Sequence, residues 1–74
     1  MTTLQNQIQR DARNFARSLL AENYVFMFDY KDAHTFFGYC TLRHKHNGNR
    51  ISVIYNDKGW TAYKNRKPIT GCNY

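Results

Sequence analysis

The sequence predicts an α+β domain in which an N-terminal helix packs on a four- to five-stranded antiparallel β-meander. Three observations predict it. The hydrophobic period is helical up to residue 22 and alternating from residue 24 onward. The alternating part is rich in aromatic and β-branched side chains, which suit a pleated, half-buried surface. The gaps between its apolar runs are short, as antiparallel neighbours require. With 74 residues, 42% hydrophobic and 16% aromatic, the chain supports one core over 1–74 and is too apolar for a disordered tail.

The helix is expected over residues 3–22. Leu4, Ile8, Ala12, Phe15, Ala16 and Leu19 recur three and four residues apart on one face. Asn6, Arg10, Arg13 and Arg17 fall on the other, which is the pattern of a solvated helix face. Thr2 or Thr3 can cap its start, and Asn23 begins the break. Strands are expected at Tyr24–Tyr30, Thr35–His46, Arg50–Tyr55 and Trp60–Lys64, with a short fifth near Ile69–Cys72. Asn47-Gly48 is a hairpin signal, because a type I′ turn needs positive φ at both central residues. Asn56-Asp57-Lys58-Gly59 suits a type I turn with glycine in the left-handed region. Pro68 is expected to interrupt any strand through it.

These turns set a register. A two-residue Asn47-Gly48 loop pairs His44 with Ile51, Leu42 with Val53 and Cys40 with Tyr55 on a core face. It pairs Lys45 with Arg50, Arg43 with Ser52 and Thr41 with Ile54 on the other. Phe15 and Leu19 of the helix are expected against Leu42 and Val53. A three-residue Asp57–Gly59 loop then puts Trp60, Ala62 and Lys64 on the uncovered face. A three-residue Asp32–His34 loop puts Phe26 and Phe28 in the core, and Val25, Met27, Phe37 and Tyr39 outside. A one-residue slip reverses any of these assignments. The uncovered face so drawn is an apolar patch rimmed by cations, unless the tail Ile69–Tyr74 folds over it.

The formal net charge is +6 and is unevenly placed. Residues 1–33 carry four basic and four acidic side chains, whereas residues 34–74 carry seven basic side chains against Asp57 alone. His34, His44 and His46 lie in this second part too. Such a field draws polyanions, although plain basic domains show it as well. No apolar run approaches a membrane span, and Met1-Thr2-Thr3-Leu4-Gln5 lacks the order of a signal peptide. Two cysteines do not make a disulfide scaffold, so reduced thiols and a cytoplasmic location are expected.

Cys40, His44 and His46 share strand parity, and Cys72 could approach them, but C-x3-H-x-H lacks the paired spacing of a zinc site. Cys40 is better explained as a core residue. A Cys40/His44 nucleophile would need an orienting acid, and Asp57 is the only one in residues 34–74. His44, His46, Arg43 and Lys45 contain the chemistry of a small ribonuclease, without a compact motif for it. No cofactor and no metal are expected. Nucleic-acid binding by a basic sheet with exposed aromatics is physically sound, since rings stack on bases while cations meet phosphates.

The segment Gly59-Trp60-Thr61-Ala62-Tyr63-Lys64, with Lys67 and Cys72 beyond it, resembles the end of small phage anti-CRISPR proteins that inhibit type I-F surveillance complexes. The resemblance covers about 14 of the 74 residues and needs a gap before the cysteine. It implies a one-helix antiparallel fold that sits on the RNA-bearing backbone of a CRISPR effector and blocks DNA recognition without catalysis. Trp60, Tyr63, Lys64 and Lys67 inherit that expectation.

The function expected from the sequence is therefore a non-enzymatic phage or mobile-element inhibitor that binds a host protein or ribonucleoprotein complex. Its partner-binding surface would comprise Tyr39, Arg43, Lys45, Arg50, Trp60, Tyr63, Lys64 and Lys67. A direct RNA- or DNA-binding module using the same face is the alternative, and a ribonuclease toxin relying on His44 or His46 is the third.

Overall fold

In the computed structural model, which describes residues 2–32 and 34–74, one helix covers one face of a five-stranded antiparallel sheet. Thr2 starts helix α1 (Thr3–Ser18) through a capping box: its hydroxyl accepts from the Gln5 amide, while the Gln5 side chain accepts from the Thr2 amide. The helix tightens into a 3-10 turn at Leu19–Glu22 and stops at Asn23, whose φ of 70° reverses the chain. Strands β1 (Tyr24–Asp32), β2 (Phe37–His44), β3 (Arg50–Asn56), β4 (Gly59–Lys64) and β5 (Lys67–Asn73) follow in spatial as well as chain order.

The core lies between α1 and the middle strands. Ile8, Ala12, Ala16 and Leu19 meet Leu42, Ile51, Val53, Tyr55 and Ala62, with Cys40 and Tyr24 at its margin. Phe15 stacks on Trp60 with ring centroids 5.2 Å apart. Small alanines at three-to-four-residue spacing let the helix approach the sheet, and the buried aliphatics of β2 and β3 supply most of the apolar area removed from water.

Turn lengths differ from those expected, and the differences decide the faces. Between β2 and β3 the loop has four residues, Lys45–Gly48, closed by the His44 amide donating to Asn49 (2.8 Å) and the Gly48 amide donating to His44 (3.2 Å). Gly48 has positive φ but Asn47 does not, so no type I′ turn forms. His44 Nδ1 accepts from the amides of His46 and Asn47, and Asn47 Oδ1 accepts from Asn49, which holds the wider loop. The pairing moves by two: Leu42 faces Ile51, Cys40 faces Val53, and Arg43 rather than Lys45 faces Arg50. An even shift leaves every face as expected.

Between β3 and β4 the loop is only Asp57-Lys58, one residue shorter than expected, with Asn56 facing Gly59. Asn56 Oδ1 accepts from the Lys58 amide and tightens it. Gly59 is already strand, with φ of 152°, and passes so near the Cys72 carbonyl that a Cβ would lie 2.0 Å from it. The odd shift turns β4 over. Ala62 enters the core, Trp60 and Lys64 point to the helix side, and Thr61 and Tyr63 point away.

A bulge between Phe26 and Phe28 divides β1 in the same way. Phe26 remains on the helix side beside Leu42 but is 47% exposed, because α1 lies over β3 and β4 rather than β1. Phe28 is not a core residue: it faces Thr41 on the open side and is 64% exposed. Residue 33, within the expected Asp32–His34 loop, lies outside the described residues. At the other edge β5 runs through Pro68, where a missing N–H is tolerated because the strand has no outer neighbour among the described residues. The tail pairs with β4 and the Tyr74 amide donates to Lys58, so it does not fold over the open face. Among the described residues no helix is long and apolar enough to cross a membrane.

Candidate nucleic-acid interface on the open sheet face

The face away from α1 is built from cross-strand rows. One row runs Tyr30, Tyr39, Ile54, Thr61 and Gly71. The next runs Phe28, Thr41, Ser52, Tyr63 and Pro68, and beyond it Val25, Arg43 and Arg50 stand side by side. Strand alternation puts Phe37 with Tyr39, and the rings of Tyr30, Phe37 and Tyr39 touch as a triad, at 5.4 Å (Tyr30–Tyr39), 6.3 Å (Phe37–Tyr39) and 6.5 Å (Tyr30–Phe37). Thr41 and Ser52 hydroxyls share a hydrogen bond of 3.3 Å between the aromatic end and the basic end.

At the basic end a shallow hollow of about 600 Å³ is lined by Arg50, Ser52, Ile54, Tyr63 and Arg66. Arg66 was not among the sequence-expected site residues. It occupies, with Asn65, a two-residue turn joining β4 to β5, with φ of 53° at Asn65 and 66° at Arg66. That geometry suits asparagine followed by glycine, and a non-glycine residue held there costs roughly 1–2 kcal/mol. The Asn-Arg dipeptide at the end of an alternating run was the signal for it.

Of the expected residues, the structure brings Tyr39, Arg43, Arg50 and Tyr63 together on this face. Lys45 lies in the β2–β3 loop. Trp60 and Lys64 stand on the opposite side, where Trp60 is committed to Phe15 and Lys64 faces Ile51. Lys67 is paired with Lys64 at the end of β5. Phe28 and Tyr30, expected in the core or left unassigned, are instead exposed members of the platform.

The charge of the face is one-sided. Arg43 and Arg50 oppose each other, a like-charge pair that weakens the sheet unless an anion lies across it. The acidic residues of β1 are diverted. Asp29 points to the helix side and pairs with Arg13 at 3.5 Å, both well exposed, so this pair adds little stability. Asp32 accepts from the His34 and Thr35 amides, and these bonds hold its carboxyl below the ordinary carboxylate value.

The residues considered for catalysis or metal are dispersed. Burial first, then the Asp29 charge, pushes the Cys40 thiol up to about 11, so it is a neutral core group at pH 7. Cys72 is exposed on β5, separated from β2 by β3 and β4, and both cysteines are free. His44 Nδ1 is used by the loop amides and its ring stands edge-on to Tyr24 at 5.0 Å. Among the described residues no three His, Cys, Asp or Glu side chains gather as metal ligands. Compared with protein-family models, curated proteins and solved structures, the chain matches none.

Proposed function

We propose that this protein is a non-enzymatic binding module that holds single-stranded nucleic acid on its open sheet face. The observation that carries the proposal is the continuity of a ring cluster, exposed Tyr30 with half-buried Phe37 and Tyr39, with the Arg43–Arg50 pair on the same side of one sheet. Rings accept bases of any sequence by stacking, and guanidinium groups neutralise the phosphates between them. Same-face neighbours on a strand stand about 6.6–6.8 Å apart, a spacing that an extended nucleotide chain can follow. Arg66 supports the same assignment: a strained backbone position occupied by arginine, where glycine is easier, is expected where the side chain has a task.

The test is fluorescence anisotropy of labelled single-stranded RNA and DNA over a range of salt. Binding through Arg43, Arg50 and Arg66 gives a log–log salt slope of about −2 for three phosphates at the single-strand coefficient. Absence of binding at low salt overturns the proposal.

The second reading is an inhibitor that docks this face on a host nucleic-acid-handling complex, as the resemblance to anti-CRISPR proteins implies. Val25, Phe28 and Ile54 favour it, because they interleave apolar surface with the rings and cations in the manner of a protein interface. Binding of a CRISPR effector that survives nuclease treatment, without affinity for free oligonucleotides, is the outcome that selects it.

A further inference from the structure

The two edges of the sheet are guarded unequally. β5 carries Lys67, Pro68 and a register shift opposite Ala62 and Tyr63, all of which discourage strand addition. β1 is a nine-residue edge without proline, and its bulge at Met27 leaves Phe28–Asp32 regular. Among the described residues, four of the eight large apolar side chains that stand exposed, Phe26, Met27, Phe28 and Tyr30, lie on this strand. An edge of this kind is a template for another strand.

Its charges specify which strand fits. Asp29 and Lys31 flank Tyr30 and share the helix side of the sheet, as their partners Cys40 and Gly38 show. In an antiparallel pairing of β1 with itself centred on Tyr30, Asp29 of each copy faces Lys31 of the other, twice. Pairings centred on Asp29 or on Lys31 instead set like charges against each other. Asp32, which would face Phe28, has its carboxylate turned to its own His34 and Thr35 amides.

We propose that a second copy of this chain adds to the β1 edge, antiparallel and centred on Tyr30. The two-fold axis stands perpendicular to the sheet, so both helices stay on one side and the two sheets join into one of ten strands. Tyr30 then stands opposite its symmetry mate, and the two Tyr30–Phe37–Tyr39 clusters become one platform. This assembly does not depend on the platform binding nucleic acid.

Sedimentation equilibrium of the full chain, free of nucleic acid and over a wide concentration range, tests it. Wild type is expected to shift from monomer to dimer with concentration. Asp29→Lys and Lys31→Asp each replace two attractive cross-strand pairs with two repulsive ones, and are expected to weaken the dimer about ten- to thirtyfold. The Asp29→Lys/Lys31→Asp double exchange restores complementarity and should restore wild-type association. If Asp29→Lys disturbs the monomer by setting a cation beside Arg13, Lys31→Asp supplies the same comparison, with circular dichroism as the control. A chain that stays monomeric at the highest concentration overturns the proposal and leaves the edge to a different strand. So does a dimer indifferent to either exchange, or one the double exchange fails to restore.

Discussion

Tyr55 lies across Gly38 on the neighbouring strand so closely that a Cβ on Gly38 would fall 2.4 Å from the ring's Cζ and hydroxyl oxygen. The ring is held there by Gln9, whose Nε2 donates to the Tyr55 hydroxyl at 3.1 Å, and by Phe36 at 5.2 Å. Gly38→Ala therefore forces a buried ring to move and breaks a helix-to-sheet hydrogen bond. We expect a loss of about 1–3 kcal/mol, the range of overpacking, measured as a lower denaturation midpoint in urea. Tyr55→Phe, which keeps the ring and drops only the hydrogen bond, should cost less.

Arg66 separates stability from binding. Its φ of 66° is a glycine conformation, so Arg66→Gly is expected to raise stability by about 1 kcal/mol. The same change removes a cation from the hollow beside Arg50 and should flatten the salt slope of oligonucleotide binding by about 0.7. Urea denaturation and anisotropy on the one variant check both. A variant that gains stability and keeps the full slope would remove Arg66 from the interface.

Helix, strand number and strand order were legible because each rests on a periodicity repeated over many residues. The faces of β2 and β3 were legible too, since the loop there differs from expectation by an even number and side chains alternate with period two. The face of β4 was not. Whether Gly59 ends the turn or begins the strand is decided by the approach of the Cys72 carbonyl, a contact thirteen residues away in sequence. Phe28 was misassigned for a similar reason: nothing local in Tyr24–Asp32 marks Met27 as the bulge, and the helix's position over β3 and β4 leaves β1 without a cover to bury against.

The alkaline limb of stability follows from two groups, Cys40 at the margin of the core and Tyr74, a partly exposed side chain outside it. The Cys40 thiol is pushed up to about 11, chiefly by burial. The Tyr74 phenol is pushed up to about 12, by burial first and then by donating to Asp11. Both are neutral when protonated and favoured so in the fold. Their contributions are complete below the ordinary thiol and phenol values and are lost as pH rises through the folded ones. Stability is therefore expected to fall from about pH 9 toward pH 12. Tyr74→Phe should make that fall shallower and lower stability at pH 7, since Asp11 loses its partner. Chemical denaturation at stepped pH values is the measurement.

Trp60 gives an optical test of which face is used. Its ring packs against Phe15 on the helix side with its indole N–H buried, so its emission reports the core and not the open face. Oligonucleotides stacked on Tyr30, Phe37 and Tyr39 lie across the sheet from it and should leave tryptophan fluorescence unquenched at saturation. Unfolding in urea should shift the same emission to the red. Trp60→Phe keeps an aromatic ring against Phe15 but is smaller than indole, so it should cost roughly 1–3 kcal/mol of stability and leave affinity unchanged. Tyr39→Ala removes a ring from the platform and should weaken binding by about 1–3 kcal/mol, read by anisotropy. Strong quenching of Trp60 on binding, with affinity lost in Trp60→Phe and kept in Tyr39→Ala, would move the interface to the helix side.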